Sequence, residues 1–229
     1  MNIHGLQKMT LLDYPGIVAA TVFLGGCDYR CPYCHNFELV DGTASPIMSD
    51  QELFLFLEKR KNLLDGVVIT GGEPCLRPDL PQLVKAIKDM GYKVKLDTNG
   101  NHPDVLRQLL EAGLVDYVAM DIKNSLPKYG MTIGVPGFDT KGVQESAAIL
   151  LDGSTDYEFR TTVVHEFHEL NDFELIGQWI EGAKAYYLQQ YTVRDTVPDK
   201  SLTSPTEEDM RLYLDVVKKY VPNAVVRGV

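Results

Sequence analysis

Six short apolar runs, separated by stretches of helical periodicity, limit the fold more than any other feature of the sequence. They cover residues 18–24, 66–70, 93–96, 117–120, 157–164 and 185–190. The first two have the length and character of a buried strand, and the other four read as strands. Between them the spacing predicts helices. The first opens at Ser49-Asp50-Gln51-Glu52, which resembles a capped start ahead of Leu53, Phe54, Leu57 and Leu64. Others are expected over about residues 80–90, 103–112, 143–151, 172–183 and 207–220, with a Gly- and Pro-rich loop at 125–139 and an apolar end segment, Ala224-Val225-Val226. Strand and helix in alternation mean parallel pairing with right-handed crossovers. An open doubly wound sheet and a partial barrel both satisfy that pattern, and in either one chemistry gathers at the C-terminal strand ends. A length of 229 residues suits one substantial core, so a single domain over residues 1–229 is expected.

The first run feeds Gly25-Gly26 and then Cys27-Asp28-Tyr29-Arg30-Cys31-Pro32-Tyr33-Cys34-His35-Asn36, which holds three of the four cysteines. Soft thiolates suit iron-sulfur clusters or zinc, and a short loop can turn three sulfurs toward one centre. Three is one ligand short of a closed site. A four-iron cluster held this way keeps one iron open to the nitrogen and oxygen atoms of a small molecule. The alternatives are a zinc-stabilised binding module, with His35 or Cys75 as fourth ligand beside Cys27, Cys31 and Cys34, and a simple electron carrier. Four cysteines without an export signal point to a reducing cytosol rather than to disulfides. The formal charge of -10 disfavours nucleic acid and anionic membranes as partners. No run approaches the roughly 18 apolar residues of a membrane span, so a cytoplasmic location is expected.

Polar groups follow the other strands. Thr70-Gly71-Gly72-Glu73-Pro74 combines a glycine pair, which lets backbone approach a ligand, with a carboxylate able to accept from an ammonium. Cys75 next to it reads as a half-buried structural thiol. The third and fourth strands end in Asp97-Thr98-Asn99-Gly100 and Asp121-Ile122-Lys123-Asn124, which puts two acids, an amide and a lysine on one rim. Arg160, among apolar strand residues, needs an anionic partner, either a structural carboxylate or a ligand. His165 and His168 just beyond it are expected at the surface.

Cys27, Cys31, Tyr33 and Cys34 form Cys-x3-Cys-x-aromatic-Cys, and in this the chain resembles radical S-adenosylmethionine enzymes. Met9-Thr10-Leu11-Leu12-Asp13-Tyr14-Pro15-Gly16, Gly26-Cys27 and Cys34-His35-Asn36 are similar to the glycyl-radical-enzyme activases. Among these the resemblance is to the activating proteins of anaerobic ribonucleoside-triphosphate reductase, with pyruvate formate-lyase activating enzyme more distant. It weakens after about residue 165.

The resemblance implies an α/β fold, a partial (β/α)6 barrel of the radical SAM type. It implies a [4Fe-4S] cluster on Cys27, Cys31 and Cys34, with S-adenosylmethionine on the open iron and Tyr33 among the cofactor-binding residues. Gly71, Gly72 and Glu73 would receive its amino group. Asp97, Thr98 and Asp121 would form a monovalent-cation site, Asn99 and Lys123 would face the ribose and carboxylate, and Arg160 would help hold the ligand. At the sixth strand the match departs. The pyruvate formate-lyase enzyme has a ligand-contacting histidine there, whereas this chain reads Tyr187-Leu188-Gln189-Gln190-Tyr191 and offers Gln190 or Tyr191 for the adenine side. Partner contacts are expected in the segment from there to Asp199.

The implied activity is that of an anaerobic oxidoreductase that reductively cleaves S-adenosylmethionine and takes a glycine hydrogen from a partner glycyl radical enzyme. Anaerobic ribonucleoside-triphosphate reductase is the expected partner, with pyruvate formate-lyase or a similar enzyme the alternative. With no second group of cysteines for auxiliary clusters, the electron is expected from an external reductant such as flavodoxin or ferredoxin.

Overall fold

The computed structural model describes residues 2–153 and 155–228. Two compact units are present, one built from Met1–Asp28, Glu38–Thr98 and His102–Val118, the other from Tyr29–Phe37, Asn99–Asn101 and Ala119–Val229.

The first unit contains β1 (Asn2–Ile3), β2 (Gly5–Thr10), β3 (Ala19–Leu24), most of α1 (Phe37–Asp41), β4 (Met48–Ser49), α2 (Asp50–Arg60), β5 (Gly66–Gly71), α3 (Leu80–Asp89), β6 (Lys93–Thr98), α4 (Pro103–Glu111) and the start of β7 (Tyr117–Asp121). Its strands lie in the order β6-β5-β3-β2, with β3, β5 and β6 parallel and β2 antiparallel at the edge. The expected apolar runs are the buried strands: Ala20, Val22, Leu24, Val67, Val68, Ile69, Val94 and Leu96 have no exposed surface. Leu53 and Leu57 of α2, Leu83, Val84 and Ile87 of α3, and Leu106 and Leu109 of α4 are buried with them. Each buried Val, Leu or Ile side chain among them contributes about 1.5–3 kcal/mol. The cap at Ser49 forms as its sequence indicates, with Ser49 N donating to Glu52 Oε2 at 2.8 Å and Glu52 N donating to Ser49 Oγ at 3.3 Å.

β2 has no counterpart in the sequence reading. Gln7, Lys8 and Met9 are all exposed, so the strand lacks the alternation that marks a half-buried one, and it forms by pairing Gly5, Leu6 and Gln7 with Phe23, Val22 and Thr21.

The second unit takes the end of β7, then α5 (Tyr129–Thr132), α6 (Lys141–Asp152), β8 (Asp156–Val163), α7 (Leu170–Trp179), β9 (Tyr186–Gln190), α8 (Glu207–Val217) and β10 (Val225–Arg227). The strand order is β10-β9-β8-β7, with β8, β9 and β10 parallel, so the apolar end segment is itself a strand. Helix α7 starts ahead of the expected Asp172, because Asp172 is its third residue. Its Oδ2 caps Glu169 N at 2.9 Å and its Oδ1 accepts from Ser125 Oγ at 2.7 Å. The helix stops at Trp179 rather than at 183, and the chain turns through Gly182 at φ +80°. The loop 125–139 contains two short helical turns, at Leu126–Lys128 and α5, the latter stacking Tyr129 on Phe138 at 5.8 Å.

The fold is therefore α/β with mostly parallel strands. Among the described residues no helix is long and apolar enough to cross a membrane.

In the first unit β3 and β5 are in register from Ala19↔Gly66 to Leu24↔Gly71, so both strands end at one edge. Gly71 sits at φ +131°, and a Cβ there would fall on the Leu24 carbonyl oxygen. Gly71→Ala is expected to lower stability by about 2–4 kcal/mol through strain and overlap, read as a fall in the urea midpoint.

Candidate active site

In the first unit the two strand ends meet backbone to backbone. Gly72 N donates to Leu24 O at 2.9 Å and Glu73 N donates to Gly26 O at 2.7 Å, while Gly26 N donates to Leu39 O at 2.8 Å. A Cβ on Gly72 would strike Gly26 O and lie 3.2 Å from Cys27 Cβ. The Gly71-Gly72 pair thus lets Glu73 come up against the residues that carry Cys27. Glu73 is fully buried, and its Oε1 accepts from Cys75 N at 2.9 Å and from Thr98 Oγ1 at 2.8 Å. Two of the expected cofactor residues, Glu73 and Thr98, are therefore in direct contact. Cys75 is buried rather than half-buried, because it packs behind Glu73 with its Sγ 3.7 Å from Thr98 Oγ1. Burial pushes its thiol well up, and the Glu73 charge adds to that. Asp97 Oδ1 accepts from Lys95 Nζ at 2.6 Å.

The sequence reading missed Asp28 and His102. His102 Nε2 donates to Asp28 Oδ2 at 3.2 Å, and Cys27 Sγ lies 3.9 Å from Asp28 Oδ1. The hydrogen bond to Asp28 raises the imidazole pKa against the opposing effect of burial, with the charges of Asp28 and Glu73 adding to the rise. No sequence pattern could pair these two residues, which stand 74 positions apart.

In the second unit Cys31 and Tyr33 are buried and Cys34 is half-buried, and Cys34 N donates to Cys31 O at 3.1 Å. Burial lifts the Cys31 thiol to about 11, opposed chiefly by the Lys123 ammonium. Burial raises Cys34 as well. Arg160 Nε donates to Asp121 Oδ1 at 3.0 Å and Lys123 Nζ to Asp121 Oδ2 at 2.9 Å. Burial alone would raise Asp121, but Arg160 and then Lys123 hold it down at about 2. The partner that Arg160 requires is thus a carboxylate of the protein. Asn99 Oδ1 accepts from Asn101 N at 2.9 Å around Gly100 at φ +78°. Gln190 Nε2 donates to Pro205 O at 2.9 Å. Tyr191 is buried between Tyr33, edge-on at 6.4 Å, and the His35 ring, stacked at 5.7 Å.

His35 Nε2 donates to Thr192 O at 3.0 Å, and Asp199 N donates to Pro32 O at 3.0 Å, so residues 192–199 lie across the segment that carries Cys31 and Cys34. His168 is buried, not at the surface. Its Nδ1 accepts from Val164 N at 3.1 Å and its Nε2 donates to Lys123 O at 3.0 Å, which makes the ring an internal brace. His165 is exposed as expected. Both candidates for a fourth zinc ligand, His35 and Cys75, are therefore engaged elsewhere. Among the described residues no three His, Cys, Asp or Glu side chains form a set for one metal ion. A four-iron cluster does not require that, since each cysteine binds a different iron.

The pattern of the Radical SAM superfamily matches residues 21–176. The chain belongs to that superfamily. Over its full length it is similar to a protein of Methanocaldococcus jannaschii named as a glycyl-radical enzyme activating enzyme, with 32% identity across 99% of this chain and 96% of that one. The pyruvate formate-lyase-activating enzyme of Clostridium pasteurianum is 34% identical across 54% of this chain, which spans about half (52%) of that enzyme. The crystal structure of Streptococcus suis SuiB bound to S-adenosylmethionine superposes with a TM-score of 0.70 at 13% identity, covering 91% of this chain and 52% of SuiB. As a radical SAM protein the chain uses a [4Fe-4S] cluster and S-adenosylmethionine. Its donor set fits: all four cysteines are free thiols, and Lys123 sets a positive charge beside Cys31.

The Asp121 pairing carries a pH signature. Its folded value of about 2 lies below the ordinary 3.8, so the stability it contributes is present above pH 4 and is lost as pH falls toward 2. Arg160→Met is expected to flatten that acid limb, seen in urea midpoints of the metal-free protein between pH 5 and pH 2.

Proposed function

We propose that this chain, acting in the cytoplasm as one radical SAM domain over residues 1–229, takes a hydrogen atom from a glycine of anaerobic ribonucleoside-triphosphate reductase. The observation that carries the reading is Cys27-x3-Cys31-x-Tyr33-Cys34 in a chain similar from end to end to an activating enzyme. The Met9 to Gly16 segment and Cys34-His35-Asn36 favour a glycyl-radical-enzyme activase, and among the partners of such activases the reductase is favoured by resemblance alone. Pyruvate formate-lyase is the second reading, supported by the similarity to the Clostridium pasteurianum enzyme.

Cys27, Cys31 and Cys34 are the sulfur ligands. Together the cluster and S-adenosylmethionine supply a carbon radical able to take hydrogen from a glycine Cα. The Cys31 and Cys34 thiols must lose their protons to bind iron, and the Lys123 ammonium favours that loss at Cys31. The backbone of Gly71 and Gly72 with the Glu73 carboxylate receives the cofactor's amino group. Cys75 N and Thr98 Oγ1 fix Glu73 in one orientation for that task. Asp121, itself held by Arg160, aims the Lys123 ammonium at the cofactor's carboxylate, and Asn99 faces the ribose. The adenine-side candidates are Gln190, whose Nε2 donates to Pro205 O while its amide oxygen can still accept, and Tyr191 beside Tyr33. Asp97, Thr98 and Asp121 are the residues that would hold a monovalent cation, and Asp97 also accepts from Lys95 Nζ. Cys75 is the one cysteine outside the ligand set, so the electron comes from an external reductant such as flavodoxin or ferredoxin.

The test is anaerobic reconstitution with iron and sulfide, then dithionite and S-adenosylmethionine. Cys27→Ala, Cys31→Ala and Cys34→Ala are each expected to abolish release of 5′-deoxyadenosine, while Cys75→Ala retains it. Glu73→Gln should weaken cofactor affinity roughly 10–100-fold in calorimetric titration while iron content stays at the wild-type level. Incubation with each candidate partner, followed by electron paramagnetic resonance, decides between them. A glycyl radical on the lyase alone would replace the first reading by the second.

A further inference from the structure

Cys27, Asp28 and His102 form a short chain of contacts in the first unit. The Cys27 thiol lies 3.9 Å from Asp28 Oδ1, and the other oxygen of the same carboxylate takes the His102 Nε2 hydrogen at 3.2 Å. His102 immediately precedes α4, whose Leu106 and Leu109 are buried, and Leu106 N donates to His102 O at 3.1 Å. The imidazole is thus mounted on a fixed helix, whereas Asp28 sits on a loop that has left β3 through Gly25 and Gly26. Asp28 is also an awkward neighbour for a metal-bound sulfur. Once Cys27 is a thiolate, a carboxylate beside it repels it, and the His102 N–H bonded to that carboxylate offsets part of its charge.

We propose that His102 is a positioning residue for the cluster, holding Asp28 so that the loop presents the Cys27 sulfur in one orientation and offsetting the carboxylate's charge there. This rests on the assignment of Cys27 as an iron ligand. It adds a role for two side chains to which neither the cysteine signature nor the Gly-Gly-Glu segment assigns one.

The test compares the full chain with His102→Phe, His102→Gln, Asp28→Ala and the Phe/Ala double variant. The rate of anaerobic cluster loading is followed by iron-sulfur absorbance, and the midpoint potential of the loaded cluster by redox titration. His102→Phe keeps a ring without a donor and should load several-fold more slowly. His102→Gln restores a donor to Asp28 and should recover most of the rate. In His102→Phe the carboxylate loses the His102 N–H, so the potential should shift to more negative values. It should return toward wild type in the double variant, a reversal that a purely structural role for the histidine does not produce.

Wild-type loading and potential in His102→Phe would overturn the proposal. Should that variant fold poorly by circular dichroism, Asp28→Ala decides: slowed loading supports the proposal and wild-type loading overturns it. Cys27→Ala is the control for the underlying assignment. If it loads a full cluster, the ligand reading fails and this one fails with it. If it cannot load while the His102 variants match wild type, only the role of His102 is lost.

Discussion

The contact on which the rest of the first unit depends is made without side chains. Leu24 and Gly26 at the end of β3 press against Gly71 and Gly72 at the end of β5 so closely that neither glycine has room for a Cβ. Three hydrogen bonds lock the approach, from Gly72 N to Leu24 O, Glu73 N to Gly26 O and Gly26 N to Leu39 O. The position of Cys27 and that of Glu73 are therefore one decision. Two groups that must keep a fixed separation, as proposed for Cys27 and Glu73, are better set by rigid backbone than by rotamers.

The second unit solves a different problem, how to keep charge beside buried thiols. Asp121 is the pivot, because it is anionic between two cations, one of which, the Lys123 ammonium, favours the charged forms of Cys31 and Cys34 that burial opposes. An ammonium half-removed from water is costly without a partner, and Asp121 supplies one at 2.9 Å. His168 then fixes the backbone of the same lysine through its carbonyl. Lys123 is held at both ends, main chain and side chain.

How much of this the sequence discloses follows from where the information resides. The parallel strands are legible because a strand buried on both faces must be apolar throughout, and the Ser49 cap because its partner Glu52 stands three residues away. The cysteine loop and the Gly-Gly-Glu turn are legible because each is local. β2 is hidden since its residues are mostly exposed and its pairing comes from the neighbour. Arg160 announces that it needs an anion without saying which. Asp28 and His102 are mute separately, and His168 carries no mark of burial until Val164 and Lys123 close around it.

Residues 192–199 hold the cysteine segment through the Thr192 carbonyl and the Asp199 amide. Those points bracket the third cysteine, one at Pro32 before it and the other at His35 immediately after it. The outer side of that stretch is solvent-facing at Val193, Arg194, Asp195 and Thr196. It is in effect a handle: a tug on its exposed side would be delivered as a displacement of the backbone around Cys34.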